Sequence, residues 1–297
     1  MKNNGLGKYM KDKWEVYALL LPFTILFLIF TVLPVLSAIV LSFTNFNMLE
    51  FPQWVGLVNY KRMLLEDDLF VIALKNTVIF AFITGPLSYF IALFAAWLIN
   101  QFPKNARVVF TVIFYAPSVA GNVYFIWQYL FSGDSYGFVN SFLLRMGIVN
   151  SPILWFSDPK YNLYIIMIVQ LWLSLGTGFL AFIAGLQSID KSQYEAAAVD
   201  GVTNRFQEFI YVTIPNMKHM LLFGAVMQIA GAFSVGAITA ALAGGAASTD
   251  YSAYTIINMI SDYGQTRYEM GYASAVAVVL FAAMVGTKRL IFKLLGR

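Results

Sequence analysis

Long stretches of uncharged, apolar residues constrain the fold of this chain more than any other feature. A helix that crosses a bilayer needs about 20 residues at roughly 1.5 Å each. Six candidate stretches lie at 16–43, 76–99, 108–131, 161–186, 220–243 and 271–286, of which the last is the shortest. Because backbone polar groups in lipid must pair within their own segment, the sequence predicts an all-α integral membrane protein with six transmembrane helices.

The composition agrees with a membrane protein and excludes several other classes. The chain is 60% hydrophobic and 11% charged, whereas an average soluble domain is about 25% charged. A net charge of +4 is too small to favour nucleic-acid binding. Cysteine is absent, so disulfides and thiolate metal sites are excluded.

Lysine and arginine are distributed unequally between the connections on the two sides of the predicted membrane. One set, which includes both chain ends, contains 13 of them, and the opposite set contains 6. The set that includes both chain ends contains 6 acidic residues, and the opposite set contains 9. Because cytoplasmic connections carry the excess of Lys and Arg, both termini are predicted to be cytoplasmic, with 1–15 as a cytoplasmic N-terminal segment.

The six stretches contain no Asp, Glu, Lys, Arg or His. Proton-driven and ion-driven carriers usually keep such groups inside the bilayer, although backbone carbonyls alone can coordinate sodium. The chain also lacks a phosphate-binding G-x-x-x-x-G-K-[ST] loop, and His219 is its single histidine. We therefore predict no catalytic residues, no metal site and no cofactor, and we expect energy for any transport to come from another protein.

Three uncharged polar residues share one face of the fourth stretch. Gln170, Ser174 and Thr177 are spaced at i, i+4 and i+7. They are consistent with hydrogen bonds between helices or with a lining for an uncharged hydrophilic solute, and the sequence leaves both interpretations open. Trp172 lies on the same stretch, where packing is favoured over stacking against a sugar.

A polar, helix-prone segment at 194–215 interrupts the apolar second half. Asp190 or Ser192 can cap a short alanine-rich helix, and Gly201 supplies the permissive backbone of a sharp turn. A second helix is expected from about Thr203 to Pro215. The charge distribution places this helix-turn-helix on the cytoplasmic side, where its small side chains suit docking against another protein.

Several motifs resemble those of ABC importer permeases. Glu195-Ala196-Ala197, Gly201 and the closing sequence 212–215 resemble the EAA loop of that class. The segments 19–46, 59–80, 171–173 and 271–281 are similar to maltose-type carbohydrate permeases. The family pattern usually has nine residues between its glycine and its closing I-x-L-P, whereas this chain has ten.

This resemblance implies a set of partners and a domain organisation. A second permease subunit, two ATP-binding cassette subunits and an extracytoplasmic solute-binding protein are expected, with residues 16–297 forming one transmembrane domain. The loop at about 187–219 is expected to couple it to the ATPases. The coupling residues implied by the motif are Glu195, Ala196, Ala197, Asp200 and Gly201.

The same resemblance implies a substrate path. The matching positions on the helices that flank the loop are Gln170, Ser174, Thr177, Gln228, Gly231 and Ala232. We therefore expect the permease of an ATP-driven carbohydrate importer, with an oligosaccharide substrate, in a bacterial cell membrane. The alternatives are an importer permease for a glycerol phosphate ester or a peptide and, on weaker grounds, a stand-alone channel. A phosphate ester would call for cationic groups beside the path, and the stretches contain none.

Overall fold

The structure is a computed structural model that describes residues 14–245 and 247–295. The predicted N-terminal segment 1–15 lies almost entirely outside the described residues. Within them the chain is helical and forms no strand, apart from one isolated antiparallel bridge between Thr44 and Trp54. The predicted all-α class is therefore confirmed.

The helices of the described residues are, in chain order, α1 (Trp14–Leu41), α2 (Val58–Leu65), α3 (Asp68–Asn100), α4 (Lys104–Val119), α5 (Phe125–Leu130), α6 (Phe138–Arg145), α7 (Asn162–Leu173), α8 (Thr177–Ser188), α9 (Lys191–Val199), α10 (Arg205–Asn216), α11 (Lys218–Phe233), α12 (Gly236–Leu242), α13 (Ile256–Ser261) and α14 (Met270–Leu295). π-Helical turns occur inside α1 and α10 and directly after α13.

Four helical segments of the described chain are long and apolar enough to cross a membrane: Trp14–Leu41, Asp68–Asn100, Asn162–Ser188 and Met270–Lys293. A fifth is obtained if α10 and α11, which meet at 84°, count as one span. The predicted third stretch is divided between α4 and α5, and the predicted fifth stretch is divided between α11 and α12. The number of six spans is not confirmed and stays a prediction.

The centre of the fold is formed by α3, α8 and α11, which pack against one another. Small residues of α3, such as Ala92 and Ala96, face Phe179 and Phe182 of α8 in one buried cluster. On α11, a Cβ added to Gly224 would lie 2.2 Å from the Phe182 ring. Because lipid is as apolar as these side chains, close packing of this kind is what holds such helices together.

Buried polar groups hold the segment between α12 and α14 against the N-terminal part of α3. The Asn76 amide donates to the carbonyls of Tyr251 and Tyr254, both at 3.0 Å. The Thr77 hydroxyl accepts from the backbone N–H of Ile256 at 2.9 Å. These bonds satisfy irregular backbone away from water, which would otherwise cost several kcal/mol per group.

Helix α1 packs on the body through its C-terminal half. Residues Leu33–Leu41 contact α14, where a Cβ on Gly271 would lie 2.0 Å from the carbonyl oxygen of Thr44. No residue of α1 is buried. Its surface is therefore free to contact lipid or another protein.

Candidate functional site

A cavity of about 810 Å³ follows α3, α11 and α14, and its lining is almost entirely apolar. A second cavity, of about 260 Å³, lies between α4, the α7–α8 junction and α11. This smaller cavity is the candidate site because its lining is polar. Leu173 and Met227 are the apolar side chains among its lining residues, which are Tyr115, Ser118, Gln170, Leu173, Ser174, Gly176, Thr177, Gly178, Met227, Gln228 and Gly231.

The helix that carries the predicted polar stripe is interrupted at the cavity. Helix α7 ends at Leu173, Gly176 has φ −104° and ψ −138°, and α8 begins at Thr177. The Ser174 hydroxyl donates to the carbonyl of Leu171 at 2.6 Å. The prediction of one unbroken helical face was therefore wrong, because the backbone leaves the helical conformation at Gly176, whereas Ser174 keeps helical angles as the C-cap of α7. Gln170, Ser174 and Thr177 nevertheless line the same cavity.

Gln228 connects three elements around this interruption. The residue is 7% exposed. Its Oε1 accepts from the Ser88 hydroxyl of α3 at 3.0 Å, and its Nε2 donates to the Ser174 carbonyl at 3.1 Å. The amide thus replaces a helical partner that the interrupted backbone has lost, and it fixes the shape of the cavity wall.

Glycines leave room beside the two glutamines. A Cβ on Gly178 would lie 3.4 Å from Nε2 of Gln228, and one on Gly231 would lie 4.0 Å from Nε2 of Gln170. Gly231 therefore borders the space in front of the Gln170 amide. Ala232, by contrast, is buried, with its Cβ 3.7 Å from the Cβ position of Gly85, and it does not line this cavity.

Sequence reasoning missed the wall that α4 contributes. Tyr115 and Ser118 lie three residues apart, on one face of the helix, and both line the cavity. The available signal was this polar pair inside the third apolar stretch.

The second candidate site is the polar segment predicted to form a helix-turn-helix, and this segment forms two helices and a turn. Asp190 caps α9 by accepting from the backbone N–H of Ser192 at 3.0 Å. Hydrogen bonds from the backbone and the side chain of Ser192 lower the pKa of Asp190 below its ordinary value. Gly201 follows α9 with φ +94°, a conformation that favours glycine. Asn204 then caps α10.

The predicted coupling residues of this segment lie at its surface. Glu195, Ala196, Asp200 and Gly201 are exposed, and Ala197 is partly exposed. A Cβ on Gly201 would meet nothing within 4 Å. Any requirement for glycine there comes from the backbone or from a partner, and not from packing within the chain.

A π-helical turn at Phe209–Thr213 follows the segment. Such a turn holds one more residue than an α-helical turn, which provides space for the tenth residue between Gly201 and the closing sequence. Thr213 is buried, and its hydroxyl shares a hydrogen bond of 3.0 Å with the Tyr194 hydroxyl of α9. The turn therefore also fixes α9 against the body of the protein.

A cluster of charged and aromatic groups joins the start of α3 to the start of α14. Asp67 caps α3 and accepts from the hydroxyls of Tyr263 and Tyr272 at 2.8 and 2.6 Å. Arg62 pairs with Glu269 and lies over the Tyr272 ring. Burial, followed by the bond to Asp67, raises the pKa of Tyr263 to about 12. Because each of these charges has a partner, the cluster is structural.

Nothing in the described part of the chain provides a metal site, since no three His, Asp or Glu side chains come together there. The two candidate sites are a neutral polar cavity and an exposed pair of helices joined by a turn.

Residues 88–293 match the family described as "Binding-protein-dependent transport system inner membrane component". The chain belongs to this family. The predicted resemblance to ABC importer permeases is confirmed by this match. Members of the family are membrane components of transport systems, and the apolar helices described above agree with a multi-pass membrane protein.

Two curated relatives and one solved structure illustrate the relationship. The chain is 33% identical over 286 residues to the probable ABC transporter permease protein YesP of Bacillus subtilis (strain 168), covering 95% of this chain and 91% of YesP. It is 27% identical over 290 residues to the arabinooligosaccharides transport system permease protein AraP of the same organism, covering 97% and 90%.

The solved structure is that of a bacterial alginate ABC transporter in complex with an alginate pentasaccharide-bound periplasmic protein. A chain of that complex superposes with a TM-score of 0.79 at 23% identity, over 95% of this chain and 94% of its own. At this level of identity the similarity establishes the fold, which is that of an ABC importer permease.

Proposed function

We propose that this chain is the membrane-spanning permease subunit of an ATP-driven importer of neutral saccharides, with an oligosaccharide as its substrate. The observation that carries the proposal is the cavity in which Gln170, Ser174, Thr177 and Gln228 come together. A hydroxyl-rich solute needs hydrogen-bonding groups along its path, and these side chains are uncharged and polar.

The interrupted backbone at the α7–α8 junction supports a translocation path. At membrane depth, irregular backbone is tolerated where it is buried in protein or lines a water-filled cavity. The junction at Ser174 and Gly176 borders the cavity. No Lys, Arg, Asp, Glu or His is among the cavity-lining residues, which favours a neutral sugar over a phosphate ester. The name of the relative AraP agrees with an oligosaccharide.

Coupling to ATP hydrolysis is assigned to the α9–α10 helix-turn-helix. We infer that Glu195, Ala196, Ala197, Asp200 and Gly201 dock on a separate ATP-binding cassette subunit. The support is their exposure at the surface and the tie between Tyr194 and Thr213, through which motion of α9 reaches α10 and α11. The complete importer would contain a second permease, two ATPases and an extracytoplasmic binding protein.

The proposed topology has six spans and cytoplasmic termini in a bacterial cell membrane. In this arrangement α4 with α5, and α11 with α12, each complete one crossing as interrupted helices. The excess of Lys and Arg on the side of the coupling segment supports this orientation.

The test is reconstitution of the importer in proteoliposomes with its ATPase and binding protein. We expect maltotriose or arabinotriose to stimulate ATP hydrolysis and to be taken up in an ATP-dependent manner, while glycerol 3-phosphate does neither. Stimulation by glycerol 3-phosphate alone would replace the saccharide proposal with the phosphate-ester alternative. Solute flux without ATP would instead indicate a channel.

A further inference from the structure

Helix α2 turns apolar side chains outward and polar side chains inward, the reverse of a surface helix on a water-soluble protein. At 3.6 residues per turn, one arc of about 120° collects the residues that are exposed in this chain, which are Leu57, Val58, Lys61, Leu64 and Leu65. The four aliphatic side chains of this outward face are between 58% and 73% exposed. The remaining arc is buried or half-buried and holds Asn59, Tyr60, Arg62 and Met63.

Polar contacts on the inward arc fix which side of α2 faces out. The buried Asn59 amide donates to the carbonyls of Ser42 and Thr44, at 2.9 and 2.8 Å, directly after α1. The hydroxyls of Tyr60 and Ser42 share a hydrogen bond of 2.8 Å. A rotation of α2 that buried its leucines would break these bonds and leave the Asn59 amide unsatisfied, at a cost of several kcal/mol. The outward face therefore stays outward.

The ends of two candidate spans fix the height of α2 relative to the membrane. Helix α2 is bonded to the residues that follow α1, which ends at Leu41, and only two residues separate it from α3, which begins at Asp68. It therefore lies at the boundary between hydrocarbon and water, where Trp is enriched. Trp54 is 69% exposed and stacks at 5.3 Å on Phe43, whose ring also contacts Tyr60.

The opposite end of α3 identifies the side of the membrane on which α2 lies. Helix α3 is 33 residues long, and near its C-terminal end Trp97 packs against Phe209 of α10 at 5.3 Å. Helix α10 belongs to the coupling segment. Because α2 precedes the N-terminal end of the same long helix, it lies on the membrane side opposite to that segment.

The chemistry of the outward face fits lipid better than a protein partner. Protein interfaces concentrate their binding energy in Trp, Tyr and Arg, whereas Leu and Val are under-represented in hot spots and Lys is depleted. This face instead surrounds the single Lys61 with aliphatic side chains. The stem of a lysine can lie along apolar surface while its ammonium reaches a lipid phosphate. The nearest acidic residues, Glu66 and Asp68, follow the helix.

We propose that α2 is an interfacial helix that binds the phospholipid headgroup region on the side opposite to the coupling segment. Its leucines and Val58 lie among the upper acyl carbons, and Lys61 contacts the phosphates. Because α2 is bonded to the end of α1 and adjoins the start of α3, its contact with lipid sets the depth at which both spans enter the bilayer. This role does not depend on which solute is transported.

The experiment is power-saturation EPR on the full chain, assembled with its partner subunits in nanodiscs of phosphatidylethanolamine and phosphatidylglycerol. The chain contains no cysteine, so a single nitroxide can be attached at Val58→Cys or Leu64→Cys, where the native side chains are exposed. Collisions with oxygen report lipid, collisions with a nickel chelate report water, and spin-labelled lipids calibrate the depth. Ser135→Cys is the matched control, because Ser135 is exposed in the α5–α6 connection and carries the same probe.

Labels at positions 58 and 64 should lie about 5–10 Å below the phosphate level, with oxygen collisions in excess of nickel collisions. The label at position 135 should show the reverse order, which would exclude insertion driven by the probe itself.

Frequent nickel collisions at positions 58 and 64, as at 135, would show that the outward face meets water and would overturn the inference. Rare collisions with both reagents would show that another protein covers the face, and this result would overturn it as well. The two labels lie near opposite ends of α2, so if one variant does not assemble, the other decides.

Discussion

At the scale of single residues, the two glutamines of the cavity differ in what they contact. Gln228 is buried and bonded at both ends of its amide, to Ser88 and to the Ser174 carbonyl. Gln170 is partly exposed and has no partner among the described residues. The sequence alone does not distinguish these two residues, because placing an amide in an apolar helix costs free energy at either position. Only the packing of α3 against α11 distinguishes them.

This difference predicts opposite effects for one substitution. Gln228→Leu should lower the stability of the purified complex by about 1–2 kcal/mol, because it leaves the Ser174 carbonyl without its donor and the Ser88 hydroxyl with only the Gly85 carbonyl as acceptor. Gln170→Leu should leave stability unchanged and alter saccharide preference. Thermal unfolding in detergent and ATPase stimulation across a saccharide panel provide the two measurements. Equal destabilisation by both variants would contradict the assignment.

A second residue-scale prediction concerns Tyr263, whose hydroxyl donates to Asp67. Its pKa is raised to about 12, so the bond contributes stability fully below the ordinary tyrosine pKa of about 10 and loses it as pH rises through 12. Tyr263→Phe should lose about 1 kcal/mol near neutral pH.

The destabilisation caused by Tyr263→Phe should shrink between pH 10 and 12, since the wild type loses the same bond there. The measurement is a set of thermal unfolding curves of both proteins from pH 7 to 12. Subtracting the stability of Tyr263→Phe from that of the wild type at each pH removes the contribution of the tyrosines that both proteins contain. A difference that stays constant across this range would show that the phenol does not stabilise the fold through this bond.

At the scale of elements, the sequence predicted the local structure best where caps and turn residues specify it. The sequence predicts a short helix capped by Asp190 or Ser192 and a turn at Gly201, and α9 is capped by Asp190 and followed by Gly201 with φ +94°. The interruption between α7 and α8 is not predicted by the sequence, because the spacing of apolar residues is the same in a continuous helix and in an interrupted one. The α12–α14 connection was missed because Asn76 fastens it through contacts distant in sequence.

The coupling element gives a prediction that separates backbone strain from docking. At Gly201, with φ +94°, alanine adds strain but little bulk, whereas asparagine tolerates the left-handed region and adds more bulk. A Cβ there meets nothing within the chain. If α9 docks on an ATPase, Gly201→Asn should reduce solute-stimulated ATP hydrolysis more than Gly201→Ala does, with the spans still folded.

Glu195→Lys in the same assay should uncouple hydrolysis from solute, because Glu195 is exposed and the substitution reverses a charge on the proposed docking face. Lys191→Glu, at the first residue of the same helix, is the matched charge-reversal control. Normal stimulation in both Gly201→Asn and Glu195→Lys would contradict docking through α9.

At the scale of the whole molecule, the charge asymmetry and the helix arrangement point to one orientation. The set of connections that contains the coupling segment carries 13 of the 19 Lys and Arg residues. If α9 docks on an ATPase, as proposed, it has to face the cytoplasm, where ATP is found. The charge distribution and the proposed docking of α9 therefore predict the same side for this loop.

Cysteine labelling tests this orientation, because the chain contains no native cysteine to confuse it. Asn105, Gln193, Glu50 and Ser135 are exposed. Single cysteines at Asn105 and Gln193 should react with a membrane-impermeant maleimide only after the cells are opened, and those at Glu50 and Ser135 should react in intact spheroplasts. Labelling of position 193 in intact spheroplasts would place α9 outside and remove the basis for coupling. Opposite accessibility of positions 105 and 135 is also the direct test that α4 and α5 together complete one crossing, since neither helix is long enough to do so alone.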